Sequence, residues 1–135
     1  MWKDEYCIGV EIVDKQHQSL FEKTAELHSA IELGVEENKQ EIIDSIIFLK
    51  SYALNHFSDE EEYQKSIEYS GFEEHKAQHK AFIKNLLQHE KEMKQANFAE
   101  EPVREFAKTL KVWLLFHVAN SDQRIVGKAP VAMEV

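Results

Sequence analysis

An all-α fold, an antiparallel up-down-up-down four-helix bundle, is what the sequence predicts, and three observations predict it. The chain lacks strand-length alternation of apolar and polar residues, and it holds only 4 Gly and 2 Pro in 135 residues. Strands and frequent turns therefore have little to build on. Apolar residues recur at alternating spacings of three and four along four stretches, as on amphipathic helices. The breaks between those stretches are short, and short connections make consecutive helices antiparallel neighbours.

Each element follows from its own residues. Residues 1–13 carry Trp2, Tyr6, Ile8, Val10, Ile12 and Val13 without helical spacing, and are expected to form an extended arm packed on the bundle. Asp14 is the expected cap of the first helix, which runs to about Gly34, a suitable residue just past a helix end. Its inward stripe is His17, Leu20, Phe21, Thr24, Leu27 and Ile31. Asn38 is the expected cap of the second helix, whose seam runs Ile42, Ile46, Leu49, Ala53, His56, Glu60, and which ends near Tyr69 at the Ser70-Gly71 break. A third helix starts near Phe72 with the stripe His75, His79, Phe82, Leu86, His89, Met93. Asn97 to Glu101 reads as a loop. Pro102 suits the first turn of a fourth helix, with the stripe Val103, Phe106, Leu110, Trp113, His117. The expected organisation is one domain over residues 1–135, with the bundle at about 14–125 and a short tail after about Ile125.

Composition narrows the function. A chain of 135 residues fits one compact core. Lys+Arg number 16 against 25 Asp+Glu, a formal net charge of −9, which argues against nucleic acid and anionic membranes as partners. Cys7 is the single cysteine, so no internal disulfide can form, and a reducing cytoplasm is the expected compartment. No apolar run is long enough for a membrane span, and the first residues lack the basic-then-apolar order of a signal peptide.

The chemistry gathers at one end of the bundle. His56 and Glu60 lie four apart on the apolar seam of the second helix. A charge and an imidazole pointed into a core are costly unless they bind something, and a metal is the natural candidate. His17 lies near the start of the first helix, His75 and His79 open the third, and His117 closes the fourth. Start, end, start and end share one level of an up-down-up-down bundle, so these side chains converge on one layer. Asp122 follows His117 by five residues and would point away on a regular helix. The two can share a centre only if the helix carries a π-bulge or unwinds there.

Five imidazoles and two carboxylates exceed what one ion uses, whereas two ions bridged by the carboxylates can use them all. Nitrogen and oxygen donors suit iron, manganese or zinc. Carboxylate-rich di-iron bundles rely on Glu-x-x-His, which this chain lacks. An imidazole-rich set donates less charge to iron, which favours reversible redox at the metals over oxidation of substrates.

These residues resemble the hemerythrin family, specifically its single-domain bacterial members. The resemblance rests on Trp2, Gly9-Val10, Asp14-Lys15-Gln16-His17, His56-Phe57-Ser58-Asp59-Glu60-Glu61, His75-Lys76-Ala77-Gln78-His79, and Trp113-Leu114-Leu115-Phe116-His117 through Asp122. It implies two iron ions, Fe2+ or Fe3+, with an oxo or hydroxo bridge, that bind O2 reversibly for carriage, storage or delivery rather than for catalysis. His75, His79 and His117 would hold one ion. His17 and His56 would hold the other, which keeps an open position for O2, and Glu60 and Asp122 would bridge. Trp113, Leu114 and Val118 match family positions that line the O2 pocket. Phe21 and Ile83 each follow a ligand by four residues, Trp113 precedes one by four, and each is expected to stack beside it.

Gln64 stands where Met is common in the family, four residues beyond Glu60. It could reach the bridging carboxylate and admit water; the expectation is that it points to solvent at the helix end. Ser70-Gly71 stands where Pro is usual, which should alter only the turn. His28 and His89 lie outside the family pattern and are expected to be partly buried helix residues, and Cys7 a small buried apolar one. Two other classes compete: a di-iron redox enzyme acting on peroxide or nitric oxide, and an oxygen or redox sensor module. The chain begins at Met1 and ends soon after Asp122, so no output domain is expected. An oxygen-consuming enzyme or a reductase would be the natural protein partner.

Overall fold

The computed structural model describes residues 2–132; Met1 and residues 133–135, the outermost parts of the expected arm and tail, lie outside the described residues. The bundle consists of α1 (Glu11–Leu33), α2 (Lys39–Ser66), α3 (Phe72–Gln95) and α4 (Glu100–Phe116). The last helix continues through a π-helical turn, His117–Ser121, into the short α5, Asp122–Ile125. α1 packs on α2 and α4, and α3 packs on the same two, which is the ring of an up-down-up-down bundle. Among the described residues there is no strand, and no helix is long and apolar enough to cross a membrane.

The stripes are the core. Leu20, Phe21, Leu27 and Ile31 from α1 meet Ile42, Ile46, Leu49 and Ala53 from α2, Phe82, Leu86 and Met93 from α3, and Val103, Phe106 and Leu110 from α4, all buried. Burying each large side chain contributes about 1.5–3 kcal/mol, so the apolar two-thirds of the bundle fixes the helices that carry the polar layer at one end.

Element boundaries depart from expectation where side chains reach along the chain. The arm is not extended throughout: Asp4–Tyr6 form a 3-10 turn, and α1 starts at Glu11. Asp14 is therefore inside the first turn and is not the cap. Its carboxylate reaches back to accept the Ile8 N–H at 2.8 Å and the Gly9 N–H at 3.0 Å, which binds the arm to the helix start. Asn38 does occupy the residue before α2, yet its amide donates to the Gly34 carbonyl at 2.9 Å and caps nothing. α2 stops at Ser66, short of Tyr69, and Glu68 follows in the left-handed region at φ 52°. α4 starts at Glu100, earlier than the expected loop allows. Glu100 and Glu101 form its acidic first turn, which suits the helix dipole, and Pro102 lies in that turn. Gly34 ends α1 at φ 129°, a backbone conformation that L side chains rarely adopt, which favours glycine there.

Candidate metal centre

Each helix delivers its polar residues to the same end. His17 comes from the second turn of α1, His56 and Glu60 from the last third of α2, His75 and His79 from the first two turns of α3, and His117 and Asp122 from the π turn and its exit. All seven are buried, at 3% exposure or less. A regular helix would not bring Asp122 round to His117. The wider π turn does, with the Asp122 N–H bonded five residues back to the His117 carbonyl.

The carboxylates divide their oxygens between two groups of imidazoles. Glu60 Oε1 lies 2.7 Å from His75 Nε2, 3.2 Å from His79 Nε2 and 3.7 Å from His117 Nε2. Asp122 Oδ1 lies 3.0 Å from His75 Nε2 and 3.1 Å from His117 Nε2. Their second oxygens face the other way. Glu60 Oε2 lies 3.1 Å from His56 Nε2 and 3.3 Å from His17 Nε2, and Asp122 Oδ2 lies 3.0 Å from His17 Nε2.

This arrangement fits metal ions better than a hydrogen-bonded cluster. His17 Nε2 faces His56 Nε2 at 3.0 Å, and His79 Nε2 faces His117 Nε2 at 3.0 Å. Two donors about 2.1 Å from an ion and at right angles around it sit about 3 Å apart. Both Asp122 oxygens are buried and, despite their short distances to imidazole nitrogens, accept no properly aligned hydrogen bond. Such atoms are costly unless something else satisfies them. One set of donors, Glu60, His75, His79 and His117, lies within 4.8 Å of one another, and so does a second, His17, His56, Glu60 and Asp122. Each is of a size to surround one ion.

The electrostatics of the bare cluster point the same way. Burial opposes a charge on His17, but Asp122 and Glu60 beside it prevail and push its pKa up to about 10. The same contest ends with His75 at about 9 and His117 raised, while at His56 burial wins and the pKa falls. Burial would raise Glu60, yet the surrounding imidazoles, His56 foremost, hold it well below the ordinary carboxylate range. Asp122 is lowered as well: burial and Glu60 would raise it, and His117 and His17 outweigh them. Two buried negative charges thus demand positive charge at this layer, which protons or cations can supply.

Residues outside the seven orient them. His56 Nδ1 meets Gln16 Oε1 at 2.7 Å, and the Gln16 amide donates to Asp59 Oδ2 at 2.8 Å. His79 Nδ1 meets Glu61 Oε2 at 2.8 Å. An Nδ1–H donated outward leaves the Nε2 lone pair facing the centre. Sequence reasoning assigned no role to Gln16 or Glu61. The available signal was their position: each directly adjoins a stripe residue on its helix.

The π turn leaves carbonyls without their regular partners, and distant residues serve them. The buried Gln123 amide donates to Val118 O at 2.9 Å and to Tyr6 O at 2.8 Å, and Val131 N–H donates to Ala119 O at 2.8 Å. Gln123 was not singled out from the sequence either.

Beside the centre lies a cavity of about 10 Å³, bounded by His17, His56 and His117 and by Leu20, Ala53, Phe57, Phe82, Leu110, Trp113, Leu114 and Val118. Trp113, Leu114 and Val118 are thus at its wall, and the Trp113 ring stacks on His117 at 4.4 Å and 11°. Phe21 and Ile83 are not. Phe21 packs against Trp2 and Tyr6, at 5.4 and 5.6 Å, because the arm folds over that face of α1. Ile83 sits half-buried at the margin of the core. The ring that stacks on His79 is Phe57, at 4.1 Å and 14°, which the helical stripe of α2 passes by.

Gln64 departs from expectation. It is fully buried, and neither its amide nitrogen nor its oxygen has a partner. It continues the buried face of α2 that carries Phe57 and Glu60, although Lys65 and Ser66 beside it are exposed. Cys7 is half-buried, not enclosed; burial and the nearby Asp14 raise its pKa. His28 and His89 are half-buried, as expected, the first with Nε2 at 3.1 Å from the Ala107 carbonyl.

Comparison with known proteins agrees with this geometry. The family model described as the hemerythrin HHE cation binding domain matches residues 8–129. A bacteriohemerythrin from Clostridium acetobutylicum is 30% identical over 128 residues, 93% of this chain and 98% of that protein. A myohemerythrin from Theromyzon tessulatum is 28% identical over 127 residues, 94% of this chain and 91% of that protein. A crystal structure of wild-type hemerythrin superposes with a TM-score of 0.78 at 26% identity, covering 92% of each chain. On its fold, its buried donor layer and these matches, the chain belongs to the hemerythrin family.

Proposed function

We propose that the protein binds O2 reversibly at a centre of two iron ions and serves oxygen carriage, storage or delivery. The observation that carries this reading is the division of the Glu60 and Asp122 oxygens between three imidazoles on one side and two on the other, beside a small apolar cavity. His75, His79 and His117 would hold one ion, His17 and His56 the other, with both carboxylates shared. The ion that His17 and His56 would hold has fewer protein donors, which would leave room for O2 there. A reduced pair of irons supplies, when bound, the electrons that make O2 binding strong yet reversible.

The chain supplies the setting. Gln16 and Glu61 fix the orientation of His56 and His79. Phe57, Trp113 and the aliphatic wall keep water from the cavity. Turnover of peroxide or nitric oxide needs a proton donor at the reacting atoms. The cavity wall offers hydrocarbon, the Trp113 indole and imidazoles that the ions would occupy, and no hydroxyl or carboxyl group, which favours carriage over catalysis. An oxygen-consuming enzyme or a reductase would then be the partner.

The test is an optical spectrum of the reduced, iron-loaded protein before air, after air and after degassing, with metal analysis of the same sample. A band that appears with air and fades on degassing, with two irons per chain, is expected. One zinc per chain, or a spectrum that air changes irreversibly within seconds, would overturn the reading.

A further inference from the structure

The cavity beside the centre is walled almost wholly by buried side chains. Every residue that bounds it is buried, at 5% exposure or less, with the exception of Trp113, which is half-buried. On its other side Trp113 also bounds a groove of about 610 Å³ along the outer flank of α4, with Thr109, Val112 and Phe116. Val112 and Phe116 are 50% and 46% exposed, so this groove is open to solvent and apolar. Trp113 is the residue common to the two spaces. Its ring stacks on Phe82 at 4.0 Å and 21° and on His117 at 4.4 Å and 11°, which holds it across the gap.

We propose that the Trp113 indole is the door between the α4 groove and the cavity, and that O2 enters and leaves by its displacement. The inference rests on the O2-binding reading above and adds to it the path and the residue that sets the rates. The other walls are helix faces packed in the core, where opening a path means separating two helices. Swinging one indole outwards needs only side-chain torsions and an apolar space to receive the ring, and the groove provides that space. An apolar path also suits a neutral diatomic and disfavours ions and water. Gating by a single side chain changes the rates of binding and release together, because it alters the barrier and not the end states.

The test uses the iron-loaded protein and two variants. Thr109→Phe lies in the groove one turn before Trp113, outside the cavity, and should obstruct the outward swing. It is expected to slow O2 association and dissociation by the same factor, on the order of tenfold, with the dissociation constant and iron content unchanged. Trp113→Phe replaces the door by a smaller ring and should speed both rates. Nitric oxide, also a neutral diatomic that binds ferrous ions, gives a readout without O2, and its two rates on the reduced protein should fall together in Thr109→Phe. A purely structural effect of Thr109→Phe would lower the melting temperature or shift the dissociation constant without slowing both rates equally. Rates equal to the parent in both variants, with the reversible band intact, would overturn the door and leave O2 binding standing. No reversible band in the parent protein would overturn both.

Discussion

Glu60 and Asp122 meet over His75: Glu60 Oε1 and Asp122 Oδ1 lie 2.7 and 3.0 Å from its Nε2, while their other oxygens face His17. Neither carboxylate belongs to one side of the centre. Removing either should therefore cost the less well-ligated ion first. Asp122→Ala is expected to lower iron from two per chain towards about one, because two imidazoles and one carboxylate oxygen make a poor site. Metal analysis after gel filtration checks this. Two irons retained would show that Asp122 does not bridge.

Iron should stabilise the fold as well as serve it. Emptying the layer leaves two buried carboxylates among five imidazoles, which ions no longer neutralise. The iron-free protein should melt at least about 10 °C lower, since 1 kcal/mol moves the midpoint of a domain this size by about 3–5 °C. Calorimetry with and without a chelator checks this. Superimposable melting curves would contradict a metal site in the core.

Glu61 tests the outward hydrogen bond. Glu61→Ala frees His79 Nδ1, now 2.8 Å from Oε2, to adopt either tautomer. Iron affinity should fall by about 10- to 100-fold, measured by competition with a chromophoric chelator. The helix content should not change, as Glu61 is only partly buried.

Gln64→Met addresses the unpartnered amide. Two buried polar atoms without partners cost about 1–3 kcal/mol each unless water occupies the site beside them. The substitution should raise the melting temperature, leave iron content unchanged and slow the decay of the oxygenated band, as less water reaches the Glu60 end of the cluster. Equal decay rates at matched pH and temperature would make Gln64 a bystander.

The sequence revealed the layer because period and topology suffice to place it. His56 and Glu60 continue the Ile42-to-Ala53 seam, and the alternation of helix direction brings the histidines of the other helices to their level. The spacing of five between His117 and Asp122 revealed the π turn by the same logic, since α geometry cannot reconcile it. What periodicity could not show depends on which neighbour a side chain meets. Phe57 stacks on His79 from beside the seam, and Phe21 turns to the arm. Gln123 acts on a residue far away in sequence, Tyr6, so no local pattern announces it. Polarity near a helix end ordinarily signals solvent, whereas Gln64, four residues beyond Glu60, stays on the buried face of α2 to its last turn.

The π turn also ties the ends of the chain to the centre. Its carbonyls are served by Gln123, which holds Tyr6 of the arm, and by Val131 of the tail. Lys128 Nζ donates to Cys7 O at 2.8 Å and so joins tail to arm directly. Straightening the turn would release the Gln123 and Val131 contacts in one event and leave Lys128 as the remaining link of tail to arm. Susceptibility of both termini to a protease therefore becomes a gauge of how well the metal layer is assembled, readable on a gel with no spectroscopy at all.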